Sequence, residues 1–169
     1  KVYLFFDGVG DLRVMPCYIA GLGVSSVKIV NSHPNNRVKG FPTVMAVILL
    51  IDPETGFPKA IMSGTWITGL RTGAAGAIAA KYLARKDSRI VAFIGAGVQA
   101  RMQLMGLLEV MPGLSEARVF DIRSDAGRSF LDFAESICPR GFSIEVADSA
   151  RSAVMDADIV VTTTPSRKP

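Results

Sequence analysis

The spacing of apolar positions changes near residue 89, and the change divides the chain. Before it, short apolar runs alternate with turn residues. Val2–Phe6 and residues 12–15 flank the turn Gly8-Val9-Gly10 and predict a hairpin. Residues 27–30 predict another short strand, and the polar, Pro- and Gly-punctuated residues 31–40 a loop. Residues 43–51 are almost continuously apolar, which predicts a strand buried on both faces. Asp52-Pro53-Glu54-Thr55-Gly56 has turn composition, so residues 58–62 return antiparallel. Ala and Gly then dominate, and a helix is expected over residues 68–83, deep between two layers. Its glycines lower helix propensity, so Gly73 and Gly76 imply close packing or a ligand.

Past residue 89, strands and helices alternate. Ile90–Ile94, residues 117–121, Ser143–Val146 and residues 158–162 read as strands; residues 99–111, 126–137 and 149–155 read as helices. This order implies a parallel sheet with right-handed crossovers. The expected class is α/β: a Rossmann-type parallel sheet with helices on both faces, preceded by part of an α+β domain. The boundary is placed so that residues 1–87, ending in a linking helix, form the first domain and residues 88–169 the second.

Composition narrows the partners. Hydrophobic residues make up 49% and charged residues 20%, as in a soluble, well-packed α/β protein. No uncharged apolar run reaches the roughly 18 residues of a membrane span. Lys1 leads at once into a strand-like segment containing Asp7, unlike a signal peptide. The net charge of +4 is spread along the chain. Its densest basic group, Arg85-Lys86 with Arg89, contains Asp87 and sits at a helix end, where cations suit the dipole. Neither nucleic acid nor a membrane is an expected partner. Cys17 and Cys138 stand in no metal or redox spacing, and reduced thiols fit a cytoplasmic protein. His33 is the only histidine, so no metal site or Ser-His-Asp triad is expected. Both ends lie beside strand patterns, and the chain reads as an internal segment of a longer one.

The candidate chemistry centres on Gly95-Ala96-Gly97-Val98-Gln99-Ala100. This Gly-x-Gly-x-x-Ala follows a predicted strand and opens a predicted helix, the context that gives the motif meaning. Gly95 allows a tight turn, Gly97 lets backbone approach a pyrophosphate, and Ala100 permits close helix–strand packing. Free N–H groups at the helix start then face an anion. Asp121, 26 residues after Gly95, is placed to bind a ribose 2′-hydroxyl, which favours NAD. Arg123 argues the other way, because it suits a 2′-phosphate; the alternative reading of Asp121 is a cap on the following turn. Thr162, Thr163, Thr164 and Pro165 follow the last strand, where loops line the crevice of an open parallel sheet. They read equally well as a polar turn.

Further segments carry a resemblance. Leu12-Arg13-Val14-Met15-Pro16, Val27-Lys28-Ile29-Val30-Asn31, Asn31-Ser32-His33-Pro34, Gly40-Phe41-Pro42-Thr43, Thr55-Gly56-Phe57-Pro58 and Leu70-Arg71-Thr72-Gly73-Ala74-Ala75 occur in this order. With the glycine motif and Thr162-Thr163-Thr164-Pro165-Ser166-Arg167-Lys168-Pro169, they resemble the ornithine cyclodeaminase/mu-crystallin family, most closely its archaeal-type alanine dehydrogenase branch. The resemblance implies an NAD(P)-dependent enzyme whose first domain binds substrate and forms a homodimer. It implies substrate roles for Arg13, Lys28 and Arg71, with Lys28 catalytic, and cofactor contacts from Arg71 and Thr72. Lys1 falls about where many members carry another basic residue. The family's catalytic aspartate, in a Gly-Ala-Asp segment, is expected beyond residue 169.

The residues suit an amino-acid, keto-acid or imino-acid substrate. Guanidinium groups of Arg13 and Arg71 hold a carboxylate with paired hydrogen bonds. Lys28 among apolar strand neighbours is the expected acid/base, its pKa lowered by partial desolvation. Arg71 near a helix start suits the pyrophosphate as well. Three functions are compatible: alanine dehydrogenase, ornithine cyclodeaminase or cyclic-imine reductase, and mu-crystallin-like binding without chemistry.

Overall fold

A computed structural model of the chain describes residues 1–165. The described part divides into two compact units, Lys1–Thr68 and the remainder from Gly69. The division falls inside one helix, whereas the boundary expected from sequence lies at that helix's far end. The reason is the helix's glycine face, which packs within the second unit.

The first unit is a five-stranded antiparallel sheet in sequential order: β1 (Val2–Phe6), β2 (Gly10–Ile19), β3 (Val24–Ser32), β4 (Val44–Ile51) and β5 (Pro58–Ser63). β2 and β3 run further than their apolar cores suggest, because the register continues through Cys17↔Ser26 and Asp11↔Ser32. Within the expected 31–40 loop, residues 34–39 wind into a short 3-10 turn. The β4–β5 turn is closed by Asp52, whose carboxylate accepts from the Glu54 and Thr55 amides. With Lys59 bonded beside it, the Asp52 carboxyl falls to about 2.

β4 departs from expectation. Its apolar run suggested cover on both faces, yet Val47 is 45% exposed and only Ala46 is buried. The register explains the pattern. Val2, Val14, Ile29 and Val47 form one row across four strands, on a face that the unit itself leaves largely open. The opposite face carries Tyr3, Arg13, Val30 and Ala46 in register.

Helix α1 (Thr65–Leu83) begins three residues earlier than its composition suggests. The Gly64 carbonyl accepts the first helical bond from the Thr68 amide, and Thr65 Oγ1 accepts from the Ala46 amide of β4. The helix is expected deep between two layers, yet Ile78, Tyr82 and Leu83 stand exposed. One face alone is packed, and there glycine is required. α1 meets α2 (Val98–Val110), and a Cβ on Gly73 would collide with the Met102 carbonyl oxygen. A Cβ on Gly106 would lie 2.8 Å from the Gly73 carbonyl oxygen. Gln103 Nε2 donates to the Thr72 carbonyl at 3.1 Å across the same contact.

The second unit holds a four-stranded parallel sheet in the order β8-β7-β6-β9, from β6 (Ile90–Ile94), β7 (Glu116–Phe120), β8 (Ser143–Val146) and β9 (Ile159–Thr162). Right-handed crossovers put α2 and α3 (Ser124–Ile137) on one face, and the reversal from β8 to β9 puts the short α4 (Ala150–Val154) on the other. Val91, Phe93, Leu104, Leu107, Val119 and Phe130 form the core, with the Phe93 and Phe130 ring centres 5.4 Å apart. At the amino end, Asp158 accepts from the Arg89 and Ile90 amides at 2.7 and 2.9 Å and pairs with Arg85. The two amide bonds, more than the arginine, hold its carboxyl below the usual range. No described helix is long and apolar enough to cross a membrane.

The α1–α2 contact yields a test. Gly73→Ala pushes a methyl group into backbone, which cannot rotate away as a side chain can. Urea unfolding should show a loss of about 1–3 kcal/mol, the usual range for overpacking. The same change at Gly97, beside open space, should cost the fold almost nothing.

Candidate functional site

The carboxyl end of the parallel sheet is organised by the turn between β6 and α2. Gly95 adopts φ +97°, a conformation that favours glycine. Its amide donates to the Phe120 carbonyl at 2.8 Å, and its carbonyl accepts from Thr163 Oγ1 at 3.1 Å. The Thr163 amide donates to the Ile94 carbonyl at 2.8 Å. Three strand ends therefore hold one turn. Gly97 has ordinary φ, but no atom lies within 4 Å of where its Cβ would stand. That gap is the cradle a pyrophosphate requires. α2 opens beside it with no side chain capping its first amides, so donors and helix dipole face solvent. Val98 is exposed, Ala100 is buried against the core, and Gln99 Oε1 is buried without a hydrogen-bond partner among the described residues. The turn fits a dinucleotide.

Asp121 stands just past the end of β7 and has a use that its position alone did not reveal. Its Oδ2 accepts from the Ala96 amide at 2.9 Å and its Oδ1 from the Arg123 amide at 3.0 Å. The carboxylate braces the glycine turn while keeping lone pairs for a ribose diol. Thr162 at the end of β9 and Thr164 and Pro165 just beyond it are exposed; Ser166, Arg167, Lys168 and Pro169, part of the matching segment, lie outside the described residues. Arg71 and Thr72 sit in the second turn of α1. Arg71 is exposed and not at a helix start, so the argument from a helix terminus does not apply.

In the first unit, Arg13 and Lys28 lie on adjacent strands and one face. Arg13 is opposite Val30, and Lys28 is opposite Met15 and Ile48, which makes the two cations diagonal neighbours. Both are half-buried. Asp11, which sequence reasoning passed over, pairs with Arg13 Nη2 at 2.6 Å, and the guanidinium lies 5.8 Å from the centre of the Tyr3 ring. The Asp11 bond raises the Arg13 pKa despite partial burial. Arg13 Nε and Asp11 Oδ1 are both buried and unpartnered among the described residues. The i, i+2 spacing of Asp11 and Arg13 on one strand was the available signal. Among the described residues no cluster of His, Cys, Asp or Glu could hold a metal ion.

The pattern that defines the ornithine cyclodeaminase/mu-crystallin family matches residues 1–169. The chain is 50% identical over its whole length to an alanine dehydrogenase of Archaeoglobus fulgidus, of which it covers 50%. Among solved structures, an archaeal alanine dehydrogenase dimer with bound NAD superposes with a TM-score of 0.87, at 50% identity, over 100% of this chain and 50% of that one. The Δ1-pyrroline-2-carboxylate reductase of Thermococcus litoralis, in complex with NADH and L-proline, gives 0.90 at 42% identity, over 96% of this chain and 50% of that one. The chain thus spans about half the length of these relatives.

The Asp121 brace can be tested directly. In Asp121→Asn only one side-chain oxygen remains, and the amide nitrogen must face one of the two N–H donors. A loss of about 1–3 kcal/mol is expected for the donor left unpaired. Hydrogen exchange at the Ala96 or Arg123 amide should accelerate accordingly.

Proposed function

The chain belongs to the ornithine cyclodeaminase/mu-crystallin family, and from that premise we propose that it serves an NAD-dependent amino-acid oxidoreductase, an alanine dehydrogenase. The reaction converts L-alanine, NAD and water to pyruvate, ammonia and NADH. The observation that carries the reading is the 50% identity with an alanine dehydrogenase over the whole length of the chain. The geometry supports it: a glycine turn open to a dinucleotide, and two cations on one sheet face for a small anionic substrate.

The residues divide the work. The amides around Gly95, Ala96, Gly97, Val98, Gln99 and Ala100 hold the pyrophosphate, and Asp121 holds the ribose diol. Arg71, Thr72 and Thr162 through Pro165 bound the rest of the dinucleotide. NAD supplies the acceptor for the hydride that leaves the substrate Cα. Arg13, kept in place by Asp11 and Tyr3, binds the substrate carboxylate, and Arg71 is a further substrate-binding residue. Lys28, between Met15 and Ile48, takes a proton from the substrate amino group in the oxidative direction and, in the reverse direction, gives one to the carbonyl oxygen or imine nitrogen. Hydrolysis of the imino acid then releases ammonia. The open apolar row through Val2, Val14, Ile29 and Val47 suits a second copy of the chain, in keeping with a dimer.

A second reading is reduction or closure of a cyclic imine, as in a cyclodeaminase or ketimine reductase. The likeness to the pyrroline-carboxylate reductase favours it. Both readings need the same carboxylate clamp and proton carrier, so substrate turnover separates them. With the full-length protein, alanine-dependent NADH formation supports the first. Proline formed from ornithine without net NADH change, or from Δ1-pyrroline-2-carboxylate with NADH consumed, supports the second. Binding of NADH without turnover of any of these substrates returns the mu-crystallin-like reading. Lys28→Ala should lower kcat about a hundred-fold or more. Gly97→Ala should weaken NADH binding about ten-fold or more, roughly 1.4 kcal/mol, while leaving the melting temperature unchanged.

A further inference from the structure

The segment just past β7 holds more charge than one ribose-binding acid explains. Arg123 follows Asp121 by two residues, where a 2′-phosphate of a dinucleotide would meet a cation. Its guanidinium is already fenced. Nη1 donates to Asp125 Oδ2 at 3.5 Å, and Nε lies 3.7 Å from Asp121 Oδ1. One positive charge thus stands between two negative ones. Ile122, between Asp121 and Arg123, is 92% exposed, apolar surface that the fold itself leaves for something else to cover.

We propose that Asp125 is a specificity-determining residue: by holding Arg123 it excludes the 2′-phosphorylated dinucleotide and keeps the site for NAD. The proposal rests on the dinucleotide reading above and deepens it. Asp121 repels a 2′-phosphate as well, but its oxygens accept the Ala96 and Arg123 amides and its approach to the Arg123 guanidinium is 3.7 Å. Arg123, left to itself, would draw a phosphate to the start of α3, a 14-residue helix with no side-chain cap. Asp125, in the first turn of that helix, removes both attractions. It pairs with the guanidinium and meets the helix dipole with a charge of the phosphate's own sign. A 2′-hydroxyl, being neutral, is indifferent to this arrangement.

A first-turn acid also stabilises a helix, so the test must separate that effect. Dissociation constants for NADH and NADPH are measured by fluorescence on the full-length protein, its Asp125→Ser and Asp125→Asn variants, and Asp125→Ser combined with Arg123→Gln. Melting temperatures are recorded alongside. In both single variants the affinity for NADPH relative to NADH should rise about ten-fold, the worth of one regained charge-assisted hydrogen bond. NADH affinity itself should stay within about two-fold, and the gain should shrink with added salt. The double variant should lose the gain. An unchanged ratio with a lowered melting temperature would leave Asp125 as a helix acid only and overturn the proposal. Equal binding of both dinucleotides by the unaltered protein would overturn it too. Failure of the unaltered protein to bind either one would instead remove the dinucleotide reading on which it rests.

Discussion

Between β6 and α2 the chain must reverse direction within three residues and leave its amides pointing outward. It does so with φ of +97° at Gly95, held by the Phe120 carbonyl, the Thr163 hydroxyl and, one residue on, the Asp121 carboxylate. Each partner comes from the end of a strand that pairs with β6 in the sheet or from the residue just past it. The parallel register of β6 with β7 and β9 therefore fixes the turn, and the turn fixes where α2 begins. A shift of one residue in either pairing would remove an anchor of the turn.

The second unit was legible in the sequence because its signals are local. Apolar runs of strand length, a glycine motif at the strand–helix junction and an acid at the next strand's end lie in plain order. The four strands and their helices appear within a residue or two of where the pattern places them. The first unit was harder. Its strands extend through Cys17, Ser25, Ser26 and Ser32, residues that carry no strand period, because neighbouring strands impose it. The apolar run of β4 reads as burial on two faces; residue types cannot say whether the covering surface belongs to this unit.

The charged partners were the least legible. Lys28 and Arg13 stand out only through resemblance, and their diagonal placement depends on a cross-strand register that sequence does not state. Asp11 and Asp125 sit two residues from the arginines they hold, a spacing common enough to pass unnoticed. Geometry turns these pairs from coincidence into restraint. In both, an arginine that seemed free to seek an anion is already partly neutralised, so an incoming carboxylate or phosphate must compete with a fixed one. Selectivity then depends on the strength of the resident pair as much as on the arginine.

The glycine contact between α1 and α2 has a different consequence. Most helix interfaces loosen gradually on warming, as their side chains begin to visit other rotamers. Here Gly73, Gly106 and the Met102 carbonyl bring backbone against backbone, with the Gln103 and Met102 side chains alongside. Such a joint has little side-chain entropy to gain by softening. It holds, or it parts along its whole length.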